Sequence, residues 1–120
     1  MNLNSIMIGS EDPKALKDYY AKLFGSPTWE DGDYIGWQIG NGSITVAHHD
    51  QIKGKNTSPG RILLNIETED VKGEFEKFKK VGATVVQEPY KPEPSMEMWV
   101  CTFSDPDNNY FQLMSPMPEM

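Results

Sequence analysis

The chain has 120 residues, 38% of them hydrophobic and 24% charged, with a net charge of −7 and a pI of about 4.7. That length suits one domain with its own core, and no apolar run reaches the ~18 residues of a membrane span. The acidic balance excludes a phosphate-seeking surface, and with it nucleic-acid binding; the single cysteine, Cys101, excludes an internal disulfide and fits a reducing cytoplasm.

Residues 3–9 alternate as a strand does. The opening Met-Asn-Leu-Asn-Ser has neither a charged nor an apolar leader segment, so no secretory signal is expected. Asp12 can cap a helix and Pro13 suits its first position; Leu16, Tyr19, Tyr20, Leu23 and Phe24 then form one apolar face before Gly25 stops it. Short strands are predicted over 27–30, 34–39 and 43–48, divided by the turn signals Asp31-Gly32-Asp33 and Gly40-Asn41-Gly42. Residues 51–60 are a polar linker. A strand is predicted over 61–67, and a helix over 70–80 that buries Phe75, Phe78 and Val81 and stops at Gly82. Strands follow at 84–88, 97–103 and 109–115. The three prolines between 88 and 95 predict an extended loop, residues 104–109 a tight turn, and the tail from Met114 a loose end.

The two helix segments repeat each other. Asp12 and Asp70 lie 70 − 12 = 58 residues apart, and the same offset lays Ile6 and Ile8 on Leu64 and Ile66. The spacing predicts one α+β domain over 1–120, made of two βαβββ units at about 1–50 and 61–116. They form a curved, partly open mixed sheet with two outer helices. Paired units of this kind tend to enclose a cleft, and clefts hold ligands.

Strand alternation divides the side chains into two sets. One set is apolar: Ile6/Ile8, Ile44/Val46, Ile62/Leu64/Ile66 and Phe111/Leu113. It is expected beneath the helices. The other is mixed: Ser5/Met7, Thr45/Ala47/His49, Arg61/Leu63/Asn65/Glu67 and Tyr110/Gln112/Met114. A dry core would not hold Arg, Asn, Glu and Gln together, so this face reads as a partly polar cavity, with a solvated face or a dimer interface as alternatives.

The stretch Asp12–Gly25 resembles the D-x-x-x-x-x-x-F-Y-x-x-x-L-G segment of the vicinal oxygen chelate superfamily, which includes glyoxalase I, extradiol dioxygenases and the fosfomycin- and bleomycin-resistance proteins. Residues 103–115 resemble its D-P-D-G-N-x-[IFL]-E-L closing segment. The resemblance implies that fold, a homodimer and, in the enzymes, a divalent metal held from four strand positions. Those positions fall here at Ser5, at Thr45 (Ala47 or His48 in a slipped register), at Leu63 and at Gln112. Divalent metals want imidazole or carboxylate at such sites. No metal or other cofactor is therefore expected, and the resemblance points to the metal-free branch.

The expected ligand is a small, planar, partly apolar molecule in the cleft, with Trp37, His49, Arg61, Trp99, Phe103 and Tyr110 as its contacts. Trp99 follows the proline loop, which could fold over the cavity, and Arg61, the only arginine, could meet an anionic group. Two other readings stand beside this one. The first is a metal-dependent lyase, isomerase or transferase of the glyoxalase kind with displaced ligands such as His49, Glu67 and Gln112. The second is an accessory subunit whose concave face binds a protein. Catalytic residues are not assigned.

Overall fold

A computed structural model of the chain describes residues 1–117. It resolves two compact units, divided after Lys55. The first runs β1 (Ser5–Ser10), α1 (Pro13–Phe24), β2 (Trp29–Asp31), β3 (Tyr34–Ile39) and β4 (Gly42–His48); the second runs β5 (Leu64–Glu67), α2 (Val71–Lys80), β6 (Thr84–Tyr90), β7 (Val100–Ser104) and β8 (Tyr110–Met114). Each unit has its own open four-stranded sheet, in the order β1-β4-β3-β2 and β5-β8-β7-β6. The first strand of each pairs in parallel with the last, and the other pairings are antiparallel.

The two helices start by the same device. Asp12 accepts the Ala15 N–H at 3.3 Å, and its own N–H donates to Ser10 Oγ at 2.9 Å. Asp70 accepts the Gly73 N–H at 2.9 Å while its N–H donates to Thr68 Oγ1 at 3.2 Å. The hydroxyls keep the repeat, 68 − 10 = 58. Each carboxylate thus satisfies one of the orphan N–H groups of a helix start. Gly25, at φ 88°, and Gly82, at φ 99°, occupy the left-handed region at the two helix ends, where a side chain would be strained.

The repeat extends to the cores. Tyr20 packs on Trp37 with ring centroids 6.0 Å apart, and Phe78 packs on Phe103 at 5.6 Å, with 78 − 20 = 58. Phe75 and Phe111 each approach Phe103 at 5.5 Å. Ile44, Val46, Phe111 and Leu113 are buried on these helix-covered faces. Ile6, Ile8, Leu64 and Ile66, on the outer strands β1 and β5, are half-buried.

Several boundaries differ from the sequence expectation. The strand expected from residue 61 begins at Leu64, because Pro59–Arg61 forms a 3-10 turn instead. Ile62 is consequently 69% exposed rather than beneath a helix. Val81 is 44% exposed, since it caps α2 rather than lying on its buried face. β6 continues through Pro89 to Tyr90, where a loop was expected; it is an edge strand with two register shifts, a setting that tolerates proline. The tail expected to be loose from Met114 is partly ordered: Met114 ends β8, and Ser115 exchanges hydrogen bonds with the Trp99 backbone. The rest of that expectation, at 118–120, lies outside the described residues.

Candidate functional site

The face of each sheet away from its helix carries the mixed side chains. In the first unit the pairing sets Trp29, Gly36, Thr45 and Met7 in one row across four strands. A methyl group at Gly36 would overlap the indole of Trp29. The ring therefore fills the space a side chain at position 36 would take, on the face opposite Trp37. Glycine within a strand marks such a close approach. Thr45 is buried, Trp29 is 38% exposed and Met7 60% exposed, so the row runs from an aromatic surface to a flexible thioether. Alternation puts Tyr34, Ala47 and Gly9 on the same face. His49 stands at its end: a Cβ at Gly9 would meet the His49 Cβ at 3.1 Å. The imidazole Nδ1 accepts the Gln51 N–H at 3.2 Å, which leaves the ring proton of neutral His49 on Nε2.

In the second unit the corresponding row is Asn65, Gln112, Thr102 and Gln87. Thr102 is buried and Gln112 half-buried. The Gln112 amide donates from Nε2 to Thr102 Oγ1 at 3.0 Å. Neighbouring rows set Tyr110 beside Ser104, and Glu67, Met114, Val100 and Tyr90 across the sheet.

The structure separates the residues expected to line the cleft. Trp37 does not reach the mixed face: it is buried under α1, and its indole N–H donates to the Gly25 carbonyl at 2.9 Å. Phe103 is likewise enclosed under α2 by Phe75, Phe78 and Phe111. Trp99 continues that helix-side register, and Lys72 of α2 holds its ammonium 3.6 Å above the indole. The preceding loop is tied by Lys91 to Glu97 at 2.8 Å, and this hydrogen bond holds the Glu97 carboxyl below its ordinary range. Arg61 is exposed in the 3-10 turn and lies on no strand. Of the six expected contacts, His49 and Tyr110 sit on mixed faces. Trp99 and Phe103 were expected in the cleft for their aromatic character and the neighbouring proline loop, and aromatic character is the same in a core as on a binding surface. Trp29, one of the three tryptophans that could line an aromatic pocket, is not among the six, and Gly36 inside an otherwise regular strand is the signal of its place.

The four family metal positions can be tested for fit. Ser5 and Thr45 share the mixed face of the first sheet, two residues out of register, since Thr45 pairs with Met7. Leu63 precedes β5, is 40% exposed and offers no donor atom. Gln112 offers only a neutral amide oxygen, its Nε2 being bonded to Thr102. Two hydroxyls, an alkyl chain and a neutral amide do not fit a divalent ion of the kind the fold family implies. Among the described residues, no group of three or more His, Cys, Asp and Glu side chains is placed to hold a metal ion. The Cys101 thiol is fully buried on the helix side, and burial pushes its pKa up to about 11, so it is not a ready nucleophile.

A sequence profile of the glyoxalase-like domain matches residues 5–114. No curated protein matches the chain. Among solved structures it is similar to a glyoxalase/bleomycin resistance protein/dioxygenase family enzyme from Burkholderia phytofirmans PsJN, with 19% identity, a TM-score of 0.75, and coverage of 98% of this chain and 100% of that one. It is also similar to a glyoxalase-related enzyme from Fulvimarina pelagi, with 16% identity, a TM-score of 0.76, and coverage of 97% and 88%. A glyoxalase/bleomycin resistance protein from Catenulispora acidiphila DSM 44928 has 16% identity, a TM-score of 0.74, and coverage of 97% and 100%. At these identities the likeness is one of fold. The profile, by contrast, spans both repeat units from β1 to the end of β8, and the chain belongs to the glyoxalase-like domain family of the vicinal oxygen chelate superfamily.

Proposed function

We propose that this glyoxalase-like domain binds a small, planar, partly apolar molecule on the mixed face of its sheet, without the divalent metal of the family's enzymes. The observation that carries the reading is the Trp29–Gly36–Thr45–Met7 row. Its indole lies over Gly36, the one position of β3 without a side chain, and offers an aromatic surface on which a planar molecule can stack, while Met7 can adapt to the molecule's outline. The donor set at Ser5, Thr45, Leu63 and Gln112 supports the metal-free part of the reading. On this reading the protein works in the cytoplasm as a homodimer, the one from its single buried thiol and the other from the superfamily resemblance.

Titrating a panel of planar aromatic compounds while following tryptophan fluorescence tests the reading. Trp29→Ala should weaken the hits by up to about tenfold, the worth of one aromatic stack. Gly36→Ala, which displaces the indole, should act in the same direction. Equal binding by all three proteins would overturn the proposal. Elemental analysis after dialysis tests the metal: one equivalent of a divalent ion would favour the lyase, isomerase or transferase reading instead.

A further inference from the structure

The mixed row of the second sheet occupies the repeat positions of the Trp29 row but carries different chemistry. Asn65 stands where the first unit has Met7, Gln112 where it has Thr45, and Thr102 where it has Gly36; the offsets are 65 − 7 = 58, 112 − 45 = 67 and 102 − 36 = 66. Gln87 pairs with Thr102 as Trp29 pairs with Gly36. All four side chains are uncharged and hydrogen-bonding. The Gln112 amide is held in one orientation by its bond to Thr102, with its carbonyl oxygen and second N–H left to serve another group. Thr102 Oγ1 accepts in that bond, so its hydroxyl proton can donate. Strands β5 to β8 carry no lysine or arginine; their charged residues are Glu67 and Glu88. An anion placed on this row would meet no cation of the sheet and one like charge on the same face, Glu67. A group that both donates and accepts would be satisfied, and the half-buried Gln112 amide disfavours a molecule that leaves it unpaired.

We infer that Asn65, Gln112, Thr102 and Gln87 form a hydrogen-bonding subsite for an uncharged carboxamide or lactam edge, and not for a carboxylate or phosphate. The inference rests on the reading that a mixed face of this protein takes a small molecule.

Calorimetric titration of the full chain with quinoline-2-carboxamide, quinoline-2-carboxylate and quinoline tests it. The amide should bind about tenfold more tightly than either of the others, the worth of one or two net hydrogen bonds. Gln112→Leu, and Asn65→Leu at an exposed position on which folding does not depend, should each cut that advantage to about threefold or less while leaving quinoline unchanged. A carboxylate that binds as tightly as the amide would overturn the inference, as would variants that keep the full advantage. If quinoline binds and the amide adds nothing, the subsite falls while the planar-ligand reading stands; if none of the three binds, both fall.

Discussion

The two halves of this protein are built to one plan and differ on one face. Their helix-covered sides correspond closely: an aspartate cap preceded by a hydroxyl, an aromatic on the helix, and an aromatic beneath it on the third strand of the unit. Their mixed sides do not correspond. The same row reads Met, Thr, Gly, Trp in the first unit and Asn, Gln, Thr, Gln in the second. Closing a core against a helix restricts a position to side chains of suitable volume and polarity. The opposite face is free of that demand, and the difference between the halves is concentrated there. The fold is held by what the halves share, and the proposed binding chemistry sits where they part.

The largest effect should come from the shared aromatic pairs. Phe103→Ala, at a fully buried site, should cost about 3–5 kcal/mol in urea unfolding, and Trp37→Ala should cost a similar amount. A cost below about 1 kcal/mol for either would break the equivalence of the two cores.

Next comes a difference between the cores. Cys101 corresponds to Ile35, with 101 − 35 = 66, so only the second unit has a titrating group there. Its thiol keeps its proton up to about 11 when folded, against an ordinary 9.0. Between those values the folded state binds more protons than the unfolded state, so stability should fall as pH rises through that window. Cys101→Val should remove that part of the alkaline loss, read as the difference between the two proteins' unfolding curves from pH 8 to 11.

The caps give a smaller contrast. Asp70→Ala should cost about 1 kcal/mol and Asp12→Ala less, because the first carboxylate accepts at 2.9 Å and the second at 3.3 Å. Thermal unfolding resolves the pair. The smallest effect is expected at Gly73, which corresponds to Ala15, with 73 − 15 = 58. A methyl at Gly73 would overlap the Asp70 carboxylate, and the longer bond in α1 fits a cap pushed back by the Ala15 methyl. Gly73→Ala should therefore gain about 1 kcal/mol of helix propensity and lose part of the cap, for a net change under ~1 kcal/mol. A gain of the full amount would mean that the cap does not feel the methyl.

Much of this protein was determined locally. The caps at Asp12 and Asp70, the glycine stops, the apolar strand sets and the 58-residue offset all depend on residues a few positions apart, and they carried the βαβββ repeat and the family likeness. Strand ends and facing depend on pairing with distant segments. Nothing near Arg61 announces that the sheet begins only at Leu64, and nothing near Trp99 announces that its ring lies under Lys72. Trp37 and Phe103 look like contacts for a flat ligand in sequence because aromatic character is the same inside a core as on a binding surface. Only the tertiary structure decides which face each ring meets, and it puts Trp29, over a glycine thirty-six residues into the chain, where those rings were expected. Local hydrogen bonds and side-chain periodicity can be read along a chain, whereas register is fixed across strands that the chain brings together only on folding.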